Sequence, residues 1–394
     1  MKYPFTPEIL DSMPEELAEL YRNLENTLIE EICSRLKISG DLNEVTVQDI
    51  RSLRAMGLDI EDIKDAIAEN SKVSKKKLDE LLSDVVDRNQ KYYSDLVDIL
   101  GITAPEKYVN AADIDAIMRQ TKAEFTNLTQ SMGFLVNEGG KTIKLAPAKA
   151  YQWALDNAEM QIMSGGISYQ ESIKNSVKQL ADSGIRIVNY QSGHIDQIDV
   201  AVRRAIMTGI NQMCQRYSEQ SVDFLETDLV EVSAHQGARD TGVGPENHRQ
   251  WQGKVYRWKE KKGNSKGKYP DFIETTGYGT GSGLGGWNCR HHFYPFYEGV
   301  SERTYTDEQL ENIDPPQFEY QGRKYNSYEA TQQQRKIERT IRKLKRERTA
   351  YENAGLVEDA QDVSVRIRRL NAEYKKFSNT AGLPEQKDRM KVLY

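Results

Sequence analysis

The chain has 394 residues, 29% of them charged and 38% hydrophobic, with a net charge of −6 and a mean hydropathy of −0.71. This composition is too polar for one large buried globule, and the acidic balance argues against a chain that binds nucleic acid as a whole. No apolar run approaches the ~18 residues of a membrane span, the N-terminus lacks an apolar signal-peptide core, and three distant cysteines fit a reducing cytosol.

The segment 1–225 predicts an extended helical region. Apolar side chains over 17–36 recur every three or four positions, which places them on one helical face. A short helix is predicted before Ser74, and Ser74 is expected to begin a separate long helix. Asn110 and Ser168 are predicted to cap later helices. The remaining elements are a hairpin at 133–146, a helix from Pro147 and a helix over 194–224.

The segment 226–305 has a different composition and predicts a compact α+β module. Four of the five histidines and three of the four tryptophans of the chain lie between Ser233 and Phe296. Apolar residues at 229–232 favour a strand, and the abundant glycines favour irregular turns. The glycine-rich loop 277–286 ends in Gly-Trp-Asn rather than Gly-Lys-Ser/Thr, so it predicts a flexible or tightly turned loop instead of a phosphate-binding loop.

Two interpretations of this module stay open. In the first, cysteine and histidine side chains bind a structural zinc ion, although their spacing does not match a standard finger; the candidate ligands are Cys289, His291, His235 and His248. In the second, no cofactor is needed, the histidines bond to open backbone carbonyls, and aromatic side chains form a small core; the candidates are Trp251, Tyr256, Trp258, Trp287, Phe293 and Phe296.

Catalytic chemistry finds little support in the residues. Asp240 and Glu246 lie near His235 and His248 in sequence, as an acid–base pair would. Neighbouring arginines make simple ion pairs the plainer explanation, and the chain lacks the Gly-x-Ser-x-Gly nucleophile motif. We therefore assign no catalytic residue and expect a protein that is not an enzyme.

The segment 306–394 predicts a charged helical arm. A short helix, a hairpin near Gly322, a long helix from Ser327 to Asn353 and a second helix over 357–377 are expected. The long helix is strongly basic, so it is either a solvated helix that packs by one apolar stripe or a surface for DNA or an acidic protein. The candidate contact residues are Arg335, Arg339, Arg342, Lys343, Lys345 and Arg346.

One set of residues matches the pattern of a known family: His235, Arg239, His248, Trp251, Gly253, Lys254, Asn288, Cys289, Arg290, Pro295 and the run 328–332. With these residues the chain resembles the phage minor capsid proteins, in the branch called minor capsid protein 2, which is related to the Mu-type head-morphogenesis family. That family often has an Asn-Cys-Arg-Cys motif, and here His291 stands in place of the second cysteine, a change that keeps two candidate metal ligands.

The resemblance implies a virion structural protein that is present in few copies at the portal vertex or inner capsid. Its expected role is procapsid assembly or the packaging and delivery of DNA, and its expected partners are the portal protein, the major capsid protein and packaged DNA, with no membrane. It would occupy the host cytoplasm during assembly. Two alternatives stay open: an effector enzyme, such as a nuclease or ADP-ribosyltransferase-like module, and a free-standing DNA-binding protein.

Overall fold

The computed structural model describes residues 3–37, 47–56, 61–164, 167–188, 195–225, 227–258 and 267–391. The fold is mainly α with small antiparallel sheets, as the sequence predicts. None of the helices in these ranges combines the length and the apolar character needed to cross a membrane. Most of the lysine-rich loop at 259–268, together with His194, lies outside the described residues.

The N-terminal half is built from eight helices and one sheet within the described ranges. The sheet has the strand order β2-β1-β3-β4, and all its pairs are antiparallel. The helices are α1 (Pro7–Ser12), α2 (Glu15–Ser34), α3 (Val47–Met56), α4 (Glu61–Leu100), α5 (Ala111–Gln130), α6 (Pro147–Met163), α7 (Tyr169–Ser183) and α8 (Ile198–Phe224), and the strands are β1 (Gly133–Glu138), β2 (Lys141–Leu145), β3 (Ile185–Val188) and β4 (Ile195–Gln197).

Capping signals located several of these helices correctly. The side chain of Asn110 accepts a hydrogen bond from the backbone of Ala112, and Ser168 accepts one from Glu171. The predicted helix start at Ser74 is wrong, because α4 runs unbroken through it. The buried Ser74 hydroxyl donates a hydrogen bond to the Ser71 carbonyl, 3.3 Å away and one turn back in the same helix. Its hydrogen-bonding capacity is therefore used inside α4, and it does not cap a new helix.

The module and the C-terminal region complete the chain. A three-stranded sheet has the order β6-β5-β7, and β8 pairs with β9 in the predicted hairpin. The long basic helix has the predicted bounds. The elements are β5 (Leu229–Val232), α9 (His248–Trp251), β6 (Val255–Arg257), α10 (Phe272–Thr276), β7 (Phe293–Phe296), α11 (Asp307–Glu311), β8 (Phe318–Tyr320), β9 (Arg323–Tyr325), α12 (Ser327–Asn353) and α13 (Val357–Thr380).

One large apolar core joins the two ends of the chain. Leu344 and Tyr351 of α12 and Val363 of α13 belong to the same buried cluster as the N-terminal helices. The C-terminal region is therefore packed along the helical body over part of its length, and does not project as a free arm. The boundaries near 225 and 305 remain predictions about how the chain divides.

The module has its own aromatic core on one face of its sheet. Trp251, Tyr256, Trp258 and Phe293 are buried together there. Phe296 is buried on the other face in a smaller cluster with Leu229 and Val255.

Trp287 is a correction to the predicted core, because its side chain is 66% exposed. Its ring lies against Gly281 of the glycine loop, where a Cβ atom would come within 2.6 Å of the indole. The loop thus folds back on itself and directs the indole outward. The next residue, Asn288, adopts a φ of +56°, and the chain then turns Cys289 inward.

A buried ion pair ties α12 to the body. Arg346 lies 3.1 Å from Glu25 of α2, and both side chains are less than a tenth exposed. Glu25 also accepts a hydrogen bond from the Ile185 backbone, and Arg346 donates to the Ala181 carbonyl. Burial raises the pKa of Glu25, and the neighbouring guanidinium only partly offsets that rise.

We expect Arg346→Met to lower the free energy of unfolding by about 3–5 kcal/mol, because it leaves the Glu25 carboxylate buried without its partner. Urea unfolding at neutral pH measures the loss. Arg368→Met, at an exposed position of α13, is the matched control and should change stability by no more than about 0.5 kcal/mol. Equal effects of the two substitutions would contradict a structural role for the pair.

Candidate functional site: a cysteine–histidine cluster beside an arginine-lined cavity

Three buried side chains of the module converge on one point. The Cys289 Sγ atom lies 3.6 Å from His291 Nδ1 and 3.8 Å from His248 Nδ1. Among the residues that the structure describes, these three are the only group of cysteine, histidine or acidic side chains whose ligand atoms all lie within 4.8 Å of one another. We call this group the Cys–His cluster.

Hydrogen bonds fix the protonation of both histidines in the cluster. The Nε2 atom of His248 lies 2.8 Å from the Ser282 carbonyl oxygen, and that of His291 lies 3.0 Å from the Gln252 side-chain oxygen. Both oxygens only accept, so each Nε2 carries the proton. The Gln252 oxygen also accepts from the His235 backbone, which supports its orientation. Each Nδ1 therefore turns a lone pair towards the Cys289 sulfur.

Local sequence explains how the cluster is held. The single-turn helix α9 presents His248 on the same side as Trp251, and the two rings lie 4.5 Å apart. Arg239 donates to the carbonyls of Ser282 and Trp287, so it holds the middle and the C-terminal end of the glycine loop that carries the His248 acceptor. Of the two predicted forms of this loop, flexible or tightly turned, the structure has the second, because the Thr280 amide bonds the Gly277 carbonyl and the Leu284 amide bonds back to the Thr276 carbonyl.

The other two module histidines have different partners. The ring of His235 stacks on His291 at 4.5 Å, but its Nδ1 contacts the Gln236 carbonyl at 2.8 Å, and it stands outside the Cys–His cluster. His292 lies 2.9 Å from the Ser218 hydroxyl of α8 and stacks on Tyr3 at 4.3 Å. Only three of the four predicted ligands therefore meet, and His292 anchors the module to the helical body.

Burial keeps the module histidines neutral. It lowers the pKa of His248 to about 4 and the pKa values of His235 and His292 to about 3. Burial also lowers the pKa of His291 well below its usual range, and raises that of the Cys289 thiol. Neutral imidazoles are the form that binds metals or accepts hydrogen bonds.

The Cys–His cluster forms part of the wall of a cavity of about 320 Å³. Most of the charged side chains that line this cavity are arginines, and the three carboxylates on its wall are those of Glu15, Asp199 and Glu338. The arginines come from α2, α8, the module, α12 and the C-terminal segment: Arg22, Arg203, Arg239, Arg290, Arg335, Arg339, Arg342 and Arg389.

Beside this cavity, one carboxylate lies among four guanidinium groups. Asp11 of α1 is 2.5 Å from both Arg203 and Arg389, 3.7 Å from Arg290 and 3.8 Å from Arg335. Burial opposes ionisation of Asp11, but the arginines outweigh burial and hold its pKa well below the usual range. Burial, with a smaller effect of the neighbouring arginines, lowers the pKa of Arg335 to about 10. We call these five residues the Asp11 cluster.

The basic helix is used largely inside the molecule, and this corrects part of the predicted DNA or acidic-partner surface. Arg342 lies 3.1 Å from Asp199 and is mostly buried, as is Arg346, so neither is open to an external partner. Lys343 pairs with Asp182 at 3.0 Å, and Lys345 donates to the Met390 carbonyl. Of the six candidates, Arg335, Arg339 and Arg342 line the cavity.

Several residues of the site carry no local signal in the sequence. Asp11, Arg203 and Arg389 look like ordinary charged positions on helices, and Gln252 has no motif. Their roles depend on contacts between segments that are up to 378 positions apart. Only a three-dimensional structure brings them together.

We expect Asp11→Asn to lower the free energy of unfolding by about 3–5 kcal/mol at neutral pH, because it removes the shared counter-charge of four arginines. The folded-state pKa of Asp11 is lowered, so its contribution is present above about pH 4, the unfolded value, and is lost as the pH falls further. Urea unfolding of both proteins from pH 7 downwards should show the difference shrinking below about pH 4. Asp65→Asn, at an exposed site on α4, should be neutral at every pH, and a pH-independent loss in Asp11→Asn would contradict the electrostatic explanation.

Comparison with known proteins identifies the family. The model of the family described as phage minor capsid protein 2 matches residues 5–379. A structural protein of Lactococcus phage LL-H is 26% identical over 338 residues, which cover 84% of each chain. A structural protein of Lactococcus phage mv4 is 34% identical over 126 residues, or 32% of this chain and 93% of that protein. No solved structure matches significantly. Because the family match runs from α1 into α13, the chain belongs to the phage minor capsid protein 2 family.

Proposed function

We propose that this virion protein acts at the portal vertex or on the inner face of the capsid, in procapsid assembly or in the packaging and delivery of DNA. The observation that carries the proposal is the extent of the family match, which takes in the N-terminal helices, the module and the C-terminal helices together. The helical body, the module and the C-terminal helices therefore belong to the family together, and the module is not attached to an unrelated body. Its partners in this role are the portal protein, the major capsid protein or both, with packaged DNA nearby.

Exposed apolar side chains on the module supply a candidate contact point. Trp287 is 66% exposed on the glycine loop, and Val243 and Val300 are also exposed. A large aromatic side chain that stays in water in the isolated chain is typical of the residues that dominate protein interfaces. We propose that Trp287 contacts another head protein.

The geometry favours this structural role over an effector enzyme. His248 and His291 are buried against Trp251, with ring centroids 4.5 and 4.8 Å apart. The carboxylates near them in sequence do not join the Cys–His cluster. Asp240 accepts a hydrogen bond from Asn247, and Glu246 is exposed. The proposed role therefore requires no catalytic step.

Two measurements on purified particles test the proposal. We expect mass spectrometry to find the full chain in mature heads at a small fraction of the copy number of the major capsid protein. Heads assembled without the portal protein should lack the chain if it sits at the portal vertex, and should retain it if it lines the shell. The absence of the chain from both kinds of head would contradict the proposal.

Trp287→Ala tests the contact point. We expect several-fold less incorporation into heads with an unchanged melting temperature, because the indole packs on the surface rather than in the core. Val357→Ala, at another exposed apolar position, is the matched control and should be incorporated normally. Normal incorporation of Trp287→Ala would rule out this contact.

A further inference from the structure

We propose that Cys289, His248 and His291 bind one zinc ion, a site that goes beyond the assembly role. Bond lengths of ~2.3 Å to sulfur and ~2.05 Å to nitrogen at a tetrahedral angle place the two donor atoms roughly 3.6 Å apart. The observed Sγ–Nδ1 distances are 3.6 and 3.8 Å. The sulfur is therefore already spaced from both nitrogens as in a zinc site, and all three donor atoms lie within 4.8 Å of one another.

The proton positions agree with this assignment. Both histidines hold a proton on Nε2, where a carbonyl oxygen accepts it, and both aim a free Nδ1 at the sulfur. A metal-bound imidazole characteristically donates its other N–H to an oxygen in this way. The backbone amide of His291 donates to the Cys289 sulfur at 3.4 Å, which stabilises a thiolate. Zinc binding replaces the thiol proton, and that proton leaves to solvent.

The choice of metal follows from the donor set. Two imidazole nitrogens and one thiolate suit zinc, whereas magnesium and calcium take oxygen ligands. His235 stands outside the Cys–His cluster, so the protein supplies three ligands. Since the three side chains lie in the cavity wall, water or a small anion in the cavity would supply the fourth ligand.

Metal analysis of the untagged full-length chain tests the site. We expect about one zinc per chain after purification without chelators, and a thiolate-to-cobalt charge-transfer band when cobalt replaces zinc. Removal of the metal with a chelator should lower the melting temperature. Cys289→Ser should lose the cobalt band and the bound zinc, whereas Cys33→Ser, at a buried cysteine elsewhere, should keep both.

A further variant tests the site without removing a ligand. Gln252→Ala leaves all three ligands in place but removes the oxygen that orients His291, and should weaken zinc binding about 10- to 100-fold. Gln250→Ala, at an exposed glutamine of α9, is the matched control and should bind zinc normally. The proposal is overturned if the wild-type chain binds neither zinc nor cobalt, or if the band survives in Cys289→Ser.

A separate observation, the charge balance of the cavity, carries a second inference. Eight arginines line it against three carboxylates, or four with Asp11, which leaves an excess of four positive charges. Partly buried guanidinium groups need counter-charges, and they match phosphate oxygens in both charge and geometry. We infer that the cavity binds a phosphate-bearing small anion. Its volume of about 320 Å³ suits a phosphate or a nucleotide rather than a DNA duplex.

Calorimetric titration of the full-length chain, as purified, with inorganic phosphate and with adenosine diphosphate tests this inference and distinguishes the two sources. We expect at least one of them to bind, with affinity falling as salt rises. Arg335→Gln should weaken binding about tenfold, which corresponds to the loss of one charge-assisted hydrogen bond. Arg368→Gln, at an exposed position of α13, should leave it unchanged.

The outcomes separate this inference from the zinc site. Cys289→Ser should retain anion binding at a temperature where it stays folded, since the arginines do not depend on the metal. Two results would overturn the anion site: no heat with either ligand at millimolar concentration, or equal binding by wild type and Arg335→Gln.

Discussion

The arrangement of the whole chain depends on the Asp11 carboxylate. Its four guanidinium partners come from α8, from the module next to Cys289, from α12 and from the C-terminal segment. A single negative charge thus fixes the relative positions of five parts of the chain that are remote in sequence. Each arginine repels the other three, and Asp11 is the carboxylate that contacts all four, while Glu15 and Glu338 each pair with one of them.

The module depends on this junction because its own core is small. Ten buried apolar residues form its main cluster, and one of them, Val222, belongs to α8. Polar contacts complete the docking: Asn211 donates to the Cys289 carbonyl, and Ser218 donates to the Phe293 carbonyl. The Cys–His cluster therefore sits at the contact between module and body, where a bound metal would stabilise both the loops of the module and their attachment to α8.

How far the sequence predicts this structure follows from the range of each interaction. Local signals worked where the structure is local: the cap at Asn110, the hairpin at 133–146 and the bounds of α12 all depend on neighbouring residues. The break at Ser74 failed because a serine can bond back to its own helix. Trp287 failed because hydrophobicity does not say which way a glycine loop turns its side chain.

The basic helix α12 shows that charge, too, predicts structure only as far as its partners are local in sequence. Charge density in α12 correctly indicates that anions lie opposite it, but the sequence does not say whether they belong to a partner or to the chain itself. Asp182, Asp199 and Glu25 supply most of them from α7, α8 and α2. The positive charge that these carboxylates do not neutralise is concentrated in the cavity beside the Cys–His cluster. A chain with a negative net charge can therefore keep a locally positive interior, and the fourth position of the proposed zinc site would open into it.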